Sequence, residues 1–133
     1  MLRVKTKIQP SGIHGLGLFA DQFVPKGTVT WQYDPEFDVG FSKKELDSLP
    51  KLSREFLIYY CYFDKGIKKF VLCSDNQRYI NHTQNKKMEN VESTPHKDTA
   101  IRDIQPGEEI LCDYNKFDDA YFKRMHISSA KLK

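Results

Sequence analysis

The stretch Arg-Tyr-Ile-Asn-His-Thr at residues 78–83 determines how the rest of this 133-residue chain is interpreted. Tyr79 and Ile80 have the character of core residues, yet Asn81 and His82 follow them directly. An amide and an imidazole at the edge of a core offer directional hydrogen bonds to a ligand. The alternative is a strand end at which Asn81 starts a turn and His82 is a buried, hydrogen-bonded core residue. Taken alone, the stretch favours this structural interpretation.

Two further stretches favour a binding site. Near the start, residues 12–20 read Gly-Ile-His-Gly-Leu-Gly-Leu-Phe-Ala, and near the end residues 107–114 read Gly-Glu-Glu-Ile-Leu-Cys-Asp-Tyr. Gly15 and Gly17 have no Cβ, so the backbone around them can approach a ligand closely. A tight strand bend is the alternative. The dinucleotide-binding fingerprint does not apply, because its third glycine and its following helix are missing.

The glycine-rich segment, the Asn-His segment and the Gly-Glu-Glu strand ending in Asp-Tyr, in this order, resemble the SET domain of protein-lysine methyltransferases. The resemblance extends from about residue 4 to about residue 122. It implies a mostly β, β-clip-like fold of small curled sheets with a short helical insert at about residues 42–64. It also implies a knot-like crossing of the Asn-His segment and the terminal strand, an exception to the rule against threaded chains. Residues 1–133 then form one SET domain, with an aromatic cap at about residues 115–126.

Local patterns agree with a mostly β fold in which the helices are additions. The capping-box spacing at residues 42–45 predicts a short helix to residue 49, and Ser53 is a candidate cap for a second helix to about residue 63. Residues 34–40 are expected to form a loop, and the C-terminal aromatic residues a short helix. Strands are predicted at residues 3–9, 16–20, 28–33, 69–73, 99–104 and 109–114, with a weaker candidate at Val91.

Composition limits the classes of function. Apolar residues make up 39% of the chain and aromatic residues 13%, so one folded domain with a core is expected. The net charge of +3, without a long run of lysine and arginine, predicts no nucleic-acid partner. The longest apolar run, residues 56–63, is too short to span a membrane, and no signal peptide is recognisable, so we expect no membrane partner and a cytoplasmic location. Cys61, Cys73 and Cys112 are odd in number and widely spaced, which predicts buried thiols and no metal site.

The resemblance implies S-adenosylmethionine as the cofactor and S-adenosylhomocysteine as its product. The glycine-rich segment would hold the cofactor through backbone groups. An amide and an arginine suit the amino and carboxylate ends of a methionine moiety, although an arginine without these neighbours would be interpreted as a solvated surface residue. The cofactor contacts that the resemblance implies are His14, Gly15, Leu16, Gly17, Arg78, Asn81 and His82.

Tyr114 matches the SET tyrosine whose hydroxyl lies where the methyl donor and the lysine amine meet. A lysine amine has an ordinary pKa of about 10.4 and must lose a proton before it can attack a methyl group. An apolar channel and a nearby sulfonium charge both lower that pKa. The resemblance therefore assigns Tyr114 as the catalytic residue, which orients the amine without becoming a covalent nucleophile. The alternative is a strand-end tyrosine with its ring in the core.

Aromatic residues are candidates for the wall of a substrate channel, because they desolvate an amine and hold its alkyl stem. Tyr60, or else Tyr59 or Tyr62, is the candidate from the predicted helix, with core packing as the alternative. Cys112, two residues before Tyr114, matches the SET position that limits rotation of the amine. Because Cys112 is small and has no hydroxyl to hold a water, it predicts di- or trimethylation. The alternative is that Cys112 packs in the core and that Phe117 or Tyr60 sets the limit. The C-terminal candidates are Phe117, Tyr121 and Phe122.

The chain departs from the family pattern after His82. The family continues with Ser-Cys and then a Pro-Asn pair, whereas this chain has Thr83 and no cysteine. The zinc-binding, cysteine-rich tail of many SET proteins also has no counterpart in the sequence. Either Lys86 and Lys87 replace the Pro-Asn pair, or Asn90 takes its place after a short insertion. Cofactor contacts beyond His82 are therefore left open.

The sequence as a whole predicts a small protein-lysine methyltransferase that acts on a protein or peptide bearing a lysine. The alternatives are a SET-like module that only binds a peptide, and an unrelated β-rich interaction domain. A basic substrate such as a histone tail needs local acidic groups. The acidic residues at positions 34–38 and 118–119 are candidates, or else solvated loop charges. A histone substrate would imply nuclear or host-directed action, and the oligomeric state is open, with a dimer included.

Overall fold

The computed structural model describes residues 1–125, which form short strands, small sheets and a few short helices. The expected mostly β architecture is confirmed. The strands are β1 (Thr6–Pro10), β2 (Leu16–Ala20), β3 (Val29–Gln32), β4 (Val39–Phe41), β5 (Tyr62–Asp64), β6 (Lys69–Leu72), β7 (Asn81–His82), β8 (Val91–Ser93), β9 (Lys97–Ala100) and β10 (Leu111–Cys112). The helices are α1 (Lys43–Ser48), α2 (Lys51–Tyr60) and α3 (Tyr121–Arg124), and 3₁₀ helices cover Asn76–Tyr79 and Tyr114–Lys116. None of the helices among these residues is long and apolar enough to cross a membrane.

The strands are divided among four small sheets. β1 and β2 form an antiparallel pair, β9 lies between β3 and β8, and β6 lies between β4 and β5. The fourth sheet is a parallel pair of β7 and β10, which aligns Asn81 with Leu111 and His82 with Cys112. A parallel pair needs a long connection, and β8 and β9 lie within it. The Asn-His segment and the Asp-Tyr segment therefore lie side by side, while the knot-like threading of the chain stays a prediction.

The largest hydrophobic cluster lies beneath the glycine-rich strand. Its buried members come from β2, β8, β9, β10 and the loops beside them, and Tyr114 and Phe117 pack against its edge. Two smaller clusters lie around Trp31 and around the α1–α2 insert. The buried members of the main cluster are Leu18, Ala20, Val24, Ile80, Val91, Ala100, Ile104, Ile110 and Cys112. This core supports the Asn-His segment from below.

The helical insert begins as predicted but ends earlier. Ser42 Oγ accepts a hydrogen bond from Glu45 N at 3.1 Å, and Ser42 N donates to a Glu45 carboxylate oxygen at 3.4 Å, which confirms the capping box. The prediction that Ser53 caps the second helix is wrong, because the fixed φ of Pro50 already suits a helix start and α2 begins at the next residue. Phe63 lies on β5 instead of the helix, since Cys61 has a ψ of 149° and turns the chain into a strand.

Other strand boundaries moved because the chain changes pairing partners. The loop predicted at residues 34–40 ends in β4, which pairs with β6. The strand predicted at residues 99–104 begins earlier, as β9, and stops at Ala100. Of the strand predicted at residues 109–114, Glu109 bridges to Phe19 on β2 before the next residues pair with β7. A short strand that serves two neighbours cannot keep one continuous ladder, so Tyr114 starts a 3₁₀ helix instead of ending a strand.

Candidate active site

Two adjoining cavities meet at Tyr114. The larger one, the cleft, has a volume of about 340 Å³ and is bordered by the glycine-rich segment and the Asn-His segment. The smaller one, the channel, has a volume of about 60 Å³, and aromatic side chains are the largest group of residues that border it. The residues that line both are Tyr59, Tyr60, Arg78, Ile80, Tyr114 and Tyr121. A ligand in the cleft and a ligand in the channel would therefore share one boundary, of which Tyr114 is part.

The glycine-rich segment forms one side of the cleft. His14, Gly15 and Leu16 line it, and Gly15 has a φ of 49°, a backbone conformation that favours glycine. The prediction that Gly17 contacts a ligand is not supported, because Gly17 is buried and faces Glu109. A Cβ at Gly17 would lie 2.2 Å from a Glu109 carboxylate oxygen. The missing side chain at Gly17 therefore makes room for a carboxylate of the protein itself.

The side chain of Asn81 holds the glycine-rich segment in place. Its Nδ2 lies within donor distance of the carbonyl oxygens of His14 at 2.9 Å and Leu16 at 3.1 Å, and of a Glu109 carboxylate oxygen at 3.0 Å. The other Glu109 oxygen accepts a hydrogen bond from Ser11 Oγ at 2.9 Å. Sequence reasoning missed these roles of Ser11 and Glu109, and the Gly-Glu-Glu motif was the available signal. Asn81 thus shapes the cleft as much as it lines it.

His82 and Arg78 bring buried donors without partners to the cleft wall. His82 Nδ1 accepts a hydrogen bond from the backbone N of Tyr114 at 3.0 Å, so the ring hydrogen is assigned to Nε2. Burial lowers the pKa of His82, which keeps the ring neutral near physiological pH. His82 Nε2 and Arg78 Nε are both buried without a hydrogen-bond partner among the described residues. A buried donor without a partner is costly, so both positions favour a ligand with acceptor atoms.

Tyr114 is held by its backbone, its ring and its hydroxyl. The ring lies 5.1 Å from Tyr121, 5.2 Å from His82 and 5.9 Å from Phe117, measured between ring centroids. The hydroxyl donates a hydrogen bond to the carbonyl oxygen of Ile80. Burial raises the pKa of Tyr114 well above its ordinary value, so the phenol keeps its proton. Tyr114 can therefore orient groups by hydrogen bonding but is a poor base at neutral pH.

The channel wall contains most of the aromatic residues predicted for it. Tyr60, Cys112, Phe117 and Tyr121 line the channel, and so do both alternatives to Tyr60, which are Tyr59 and Tyr62. Phe122 is the exception, because it lines neither cavity. It packs behind the site, with its ring 4.8 Å from His82 and stacked on Tyr114 at 5.8 Å. The prediction that Phe122 walls the channel is therefore wrong, and its role here is support.

The C-terminal cap is fixed to the insert by buried polar contacts. Tyr121 Oη donates to the carbonyl oxygen of Tyr59 at 2.8 Å, which joins α3 to α2. Asp118 accepts from Phe63 N at 2.9 Å and from two nitrogens of Arg124 at 2.9 and 2.6 Å. The ion pair between Arg124 and Asp118 is therefore bidentate, which is the stronger geometry for an arginine–carboxylate pair. The aromatic cap was predicted at about residues 115–126, and its last residue, 126, lies outside the described residues.

The acidic residues proposed to attract a basic substrate are largely used within the fold. Asp38 is 4% exposed and accepts hydrogen bonds from the backbone N atoms of Asp34 and Ser74. Asp118 is occupied by Arg124, and Asp119 pairs at the surface with Lys65 at 2.9 Å. Asp38 and Asp118 are therefore neither solvated charges nor free to contact a substrate, because both are buried and stabilise the fold through their hydrogen bonds.

The region after His82, where the motif departs from the family, is organised by Asn90. Its Nδ2 donates to the carbonyl oxygen of Glu109 at 2.8 Å, and its Oδ1 accepts from Leu111 N at 2.9 Å. Lys86 instead reaches Glu89 at 3.2 Å near the surface. Of the two alternatives left open, the Asn90 position is the one that contacts β10. It lines neither cavity, so its contacts favour a supporting role.

One part of the channel wall had no signal in the sequence. Gln77, Ser93 and Asp98 are all buried and line the channel beyond the part that it shares with the cleft. Gln77 directly precedes the recognised stretch at residues 78–83, and Ser93 and Asp98 come from β8 and β9, which belong to none of the recognised motifs. Among residues 1–125, no cluster of histidine, cysteine and acidic side chains could hold a metal ion. Metal independence stays a prediction.

The fold of this chain is similar to that of several known proteins. The chain is similar in structure to a proposed histone methyltransferase of Plasmodium falciparum, with a TM-score of 0.61 and 21% identity over 85% of this chain and 95% of that one. It is also similar to Chaetomium thermophilum Polycomb Repressive Complex 2. For the apo, autoinhibited state the TM-score is 0.66 with 21% identity over 92% of this chain and 17% of that one. For an autoinhibited form bound to S-adenosylmethionine, the TM-score is 0.63 with 21% identity over 92% and 16%.

These structural similarities show the fold, since the identities are low and the chain spans less than a fifth of the Polycomb chains. Comparison with curated protein sequences finds no match. The sequence model of the SET domain family matches residues 15–115, which is most of the chain. The match includes the Asn-His segment, the Asp-Tyr segment and the glycine-rich segment from Gly15 onward. The chain therefore belongs to the SET domain family.

Proposed function

We propose that this protein is an S-adenosylmethionine-dependent protein-lysine methyltransferase. The observation that carries the proposal is the shared boundary of the cleft and the channel at Tyr114. The cleft is wide and offers backbone groups and donors, which suits a polar cofactor. The channel is narrow and aromatic, which suits the alkyl stem of a lysine. Membership of the SET family supports methyl transfer to lysine in general.

The residues of the cleft fit the proposed cofactor. His82 Nε2 and Arg78 Nε are buried donors without partners, and both residues line the cleft. The guanidinium of Arg78 would hold the carboxylate of a methionine moiety, and the backbone of His14 and Leu16 would border the rest. When bound, the cofactor supplies a methyl group on a positively charged sulfur. One neighbouring structure, of a different SET protein, contains S-adenosylmethionine.

In this proposal the chain contributes desolvation and alignment. Tyr59, Tyr60 and Tyr121 exclude water from the amine, which lowers its pKa and favours the neutral, attacking form. Tyr114 stays protonated and fixes the direction of the amine near the carbonyl oxygen of Ile80. Alignment of two reacting atoms is worth several kcal/mol of barrier without any strong base. The proposed substrate is a protein or peptide that carries a lysine, and this methyltransferase is proposed to act in the cytoplasm.

Two measurements test the proposal in order. S-Adenosylhomocysteine at about 100 times its Kd is expected to raise Tm by roughly 10 °C, whereas adenosine alone raises it less. Transfer of labelled methyl groups to proteins of a cell extract is expected next, with lysine as the acceptor. Lys43→Ala is a suitable control, because Lys43 is exposed and lines neither cavity.

The outcomes separate the competing functions. Stabilisation without methyl transfer would favour the alternative of a SET-like module that only binds a peptide. Absence of stabilisation by S-adenosylhomocysteine would contradict the cofactor assignment and the proposed reaction together.

A further inference from the structure

The part of the channel that is not shared with the cleft has a polar wall. Asp98 is 2% exposed and accepts a hydrogen bond from Gln77 Nε2 at 2.5 Å. The hydroxyl of Ser93 lies close to Asp98 and to the thiol of Cys112. It is nevertheless buried without a hydrogen-bond partner of good geometry. A channel for an alkyl amine therefore ends beside a carboxyl group and an unused hydroxyl.

Asp98 has no ion-pair partner among the described residues. The cation on the channel wall is Arg78, which also lines the cleft, and the other carboxylate on that wall, Asp118, is paired with Arg124. A buried carboxylate without a cation is expensive. An ammonium group that enters the channel would supply the missing positive charge.

The thiols of the channel and those of its phenols whose pKa is raised by burial keep their protons near neutral pH. Burial raises the pKa of Asp98 as well, but only to about 6. An acceptor with a pKa near the working pH can take a proton and release it again. The groups with raised pKa values that face Asp98 or line the same wall are Tyr59, Cys61, Tyr62, Cys73, Cys112, Tyr114 and Tyr121.

We propose that Asp98 accepts the proton that the ammonium group of the target lysine must lose before methyl transfer, with the hydroxyl of Ser93 as the relay. An N–H bond of the ammonium breaks, the proton passes to the Ser93 oxygen, and the hydroxyl proton of Ser93 passes to the Asp98 carboxylate. The nitrogen keeps the electron pair, which forms the N–C bond to the methyl group as the S–C bond of the donor breaks. Asp98 then loses its proton to water, for which the cavity has room.

This inference rests on the proposed function, and a pH profile of the rate tests it. Wild-type kcat/KM is expected to rise with pH through about 6, the pKa of Asp98. Asp98→Asn is expected to lose this limb and to lower kcat about 100-fold near neutrality, the lower end of general acid–base effects. The deficit should shrink toward a pH of about 10, because solvent then removes the proton from the lysine itself. Ser93→Ala should lower kcat less than Asp98→Asn does, and its kcat should likewise recover toward a pH of about 10.

A matched control separates this role from general damage to the fold. Asp64 is also buried, at 1% exposure, and lines neither cavity, so Asp64→Asn should keep the wild-type profile. Stabilisation by S-adenosylhomocysteine should be unchanged in Asp98→Asn. An Asp98→Asn enzyme with the wild-type rate and profile would overturn the inference and leave the proposed function intact. A wild-type protein without methyl transfer would overturn both.

A measurement on the wild type keeps the inference testable if the variant does not fold. The carboxyl carbon of Asp98, followed by NMR, should titrate near pH 6. In the presence of S-adenosylhomocysteine and a lysine peptide its pKa should fall, because a cation then lies nearby. The same peptide with the lysine replaced by norleucine should leave it unchanged. If the pKa of Asp98 does not change when the lysine peptide is added, Asp98 does not face the amine.

Discussion

The cleft and the channel share a boundary but are lined by different kinds of chemical groups. The cleft, of about 340 Å³, is bordered by backbone of an exposed glycine-rich segment and by buried donors without partners. The channel, of about 60 Å³, is bordered by aromatic side chains whose hydroxyls bond to carbonyl groups of the fold, as Tyr62 does to Pro95 and Tyr121 to Tyr59. Unsatisfied groups favour binding of a polar ligand, whereas satisfied aromatic walls favour exclusion of water.

This difference predicts that the two cavities can be damaged separately. Changes in the cleft should alter cofactor affinity and the stability of the glycine-rich segment. Changes in the channel should alter the rate or the product and leave cofactor affinity unchanged. Tyr114 lies on the shared boundary, so it provides the strictest test of the separation.

The largest expected effect comes from Tyr114→Phe. The ring packing against Tyr121 and His82 is kept, so the variant should fold and should be stabilised by S-adenosylhomocysteine like the wild type. Loss of the hydroxyl removes the preorganised polar group that orients the amine, and methyl transfer should fall by about 100- to 1,000-fold. Labelled methyl incorporation beside a thermal shift measures both. Turnover near that of the wild type would remove Tyr114 from the mechanism.

Asn81→Ala tests the cleft. The amide serves three acceptors on the glycine-rich segment and Glu109, so we expect a loss of about 3 kcal/mol in the free energy of unfolding. Cofactor affinity should weaken as well, because His14 and Leu16 lose their anchor. Denaturant titration and calorimetric binding measure the two effects, with Asn81→Asp as a variant that keeps the size but changes the donors.

Gly17→Val gives a matched comparison. Weakened cofactor binding was expected from a direct clash with the ligand, but the clash is with Glu109, at 2.2 Å from the new Cβ. The variant should therefore lose stability together with affinity. Unchanged stability and affinity in both Asn81→Ala and Gly17→Val would place the cofactor elsewhere.

Asp98→Asn tests the cost of the polar channel wall. The folded pKa of about 6 lies above the ordinary value of 3.8, so the wild type binds an extra proton on folding between these values. Its stability relative to the variant should therefore fall as pH rises from about 4 to about 6 and then stay constant, a difference of roughly 3 kcal/mol. Urea unfolding at a series of pH values checks this. A stability difference between wild type and variant that does not change between about pH 4 and about pH 6 would contradict it.

Cys112→Tyr should change the product more than the rate. Cys112 lines the channel and is fully buried, so a tyrosine there fills space beside the amine at a cost of about 1–3 kcal/mol in stability. The wild type is predicted to form di- or trimethyl-lysine, and the variant monomethyl-lysine. Ser93 beside Cys112 is a competing feature, since its hydroxyl can hold a water. Mass spectrometry of the product under excess cofactor decides: a stop at one methyl in the wild type would contradict the prediction made from Cys112.

The smallest expected effect is that of a chelator, which should leave activity unchanged. The cysteines are buried and separate, and no cluster among residues 1–125 offers a metal site. Methyl transfer measured with and without EDTA checks this. Activity that disappears with EDTA and returns with zinc would contradict the prediction.

The sequence by itself determined the family and the main residues of the site. The three motifs carry this information locally, because glycines, the Asn-His pair and the Asp-Tyr pair each need a specific backbone or side chain. The capping box at Ser42 is determined in the same way, since its hydrogen bonds join residues three apart. Tyr60, Phe117 and Tyr121 were predicted to wall a channel because they are aromatic, and Cys112 because it lies two residues before Tyr114. The structure lines the channel with all four.

Only the tertiary structure decided which residues complete the site. Gly17 was expected to face a ligand, but Glu109, distant in sequence, occupies that space. Phe122 is next to Tyr121 in the chain, yet α3 turns one ring into the channel and the other behind His82. Asp98 belongs to no sequence motif, and it is a candidate proton acceptor only because the fold buries it beside Gln77 and Ser93. Burial and pairing depend on which distant segments meet, so local sequence patterns do not contain them.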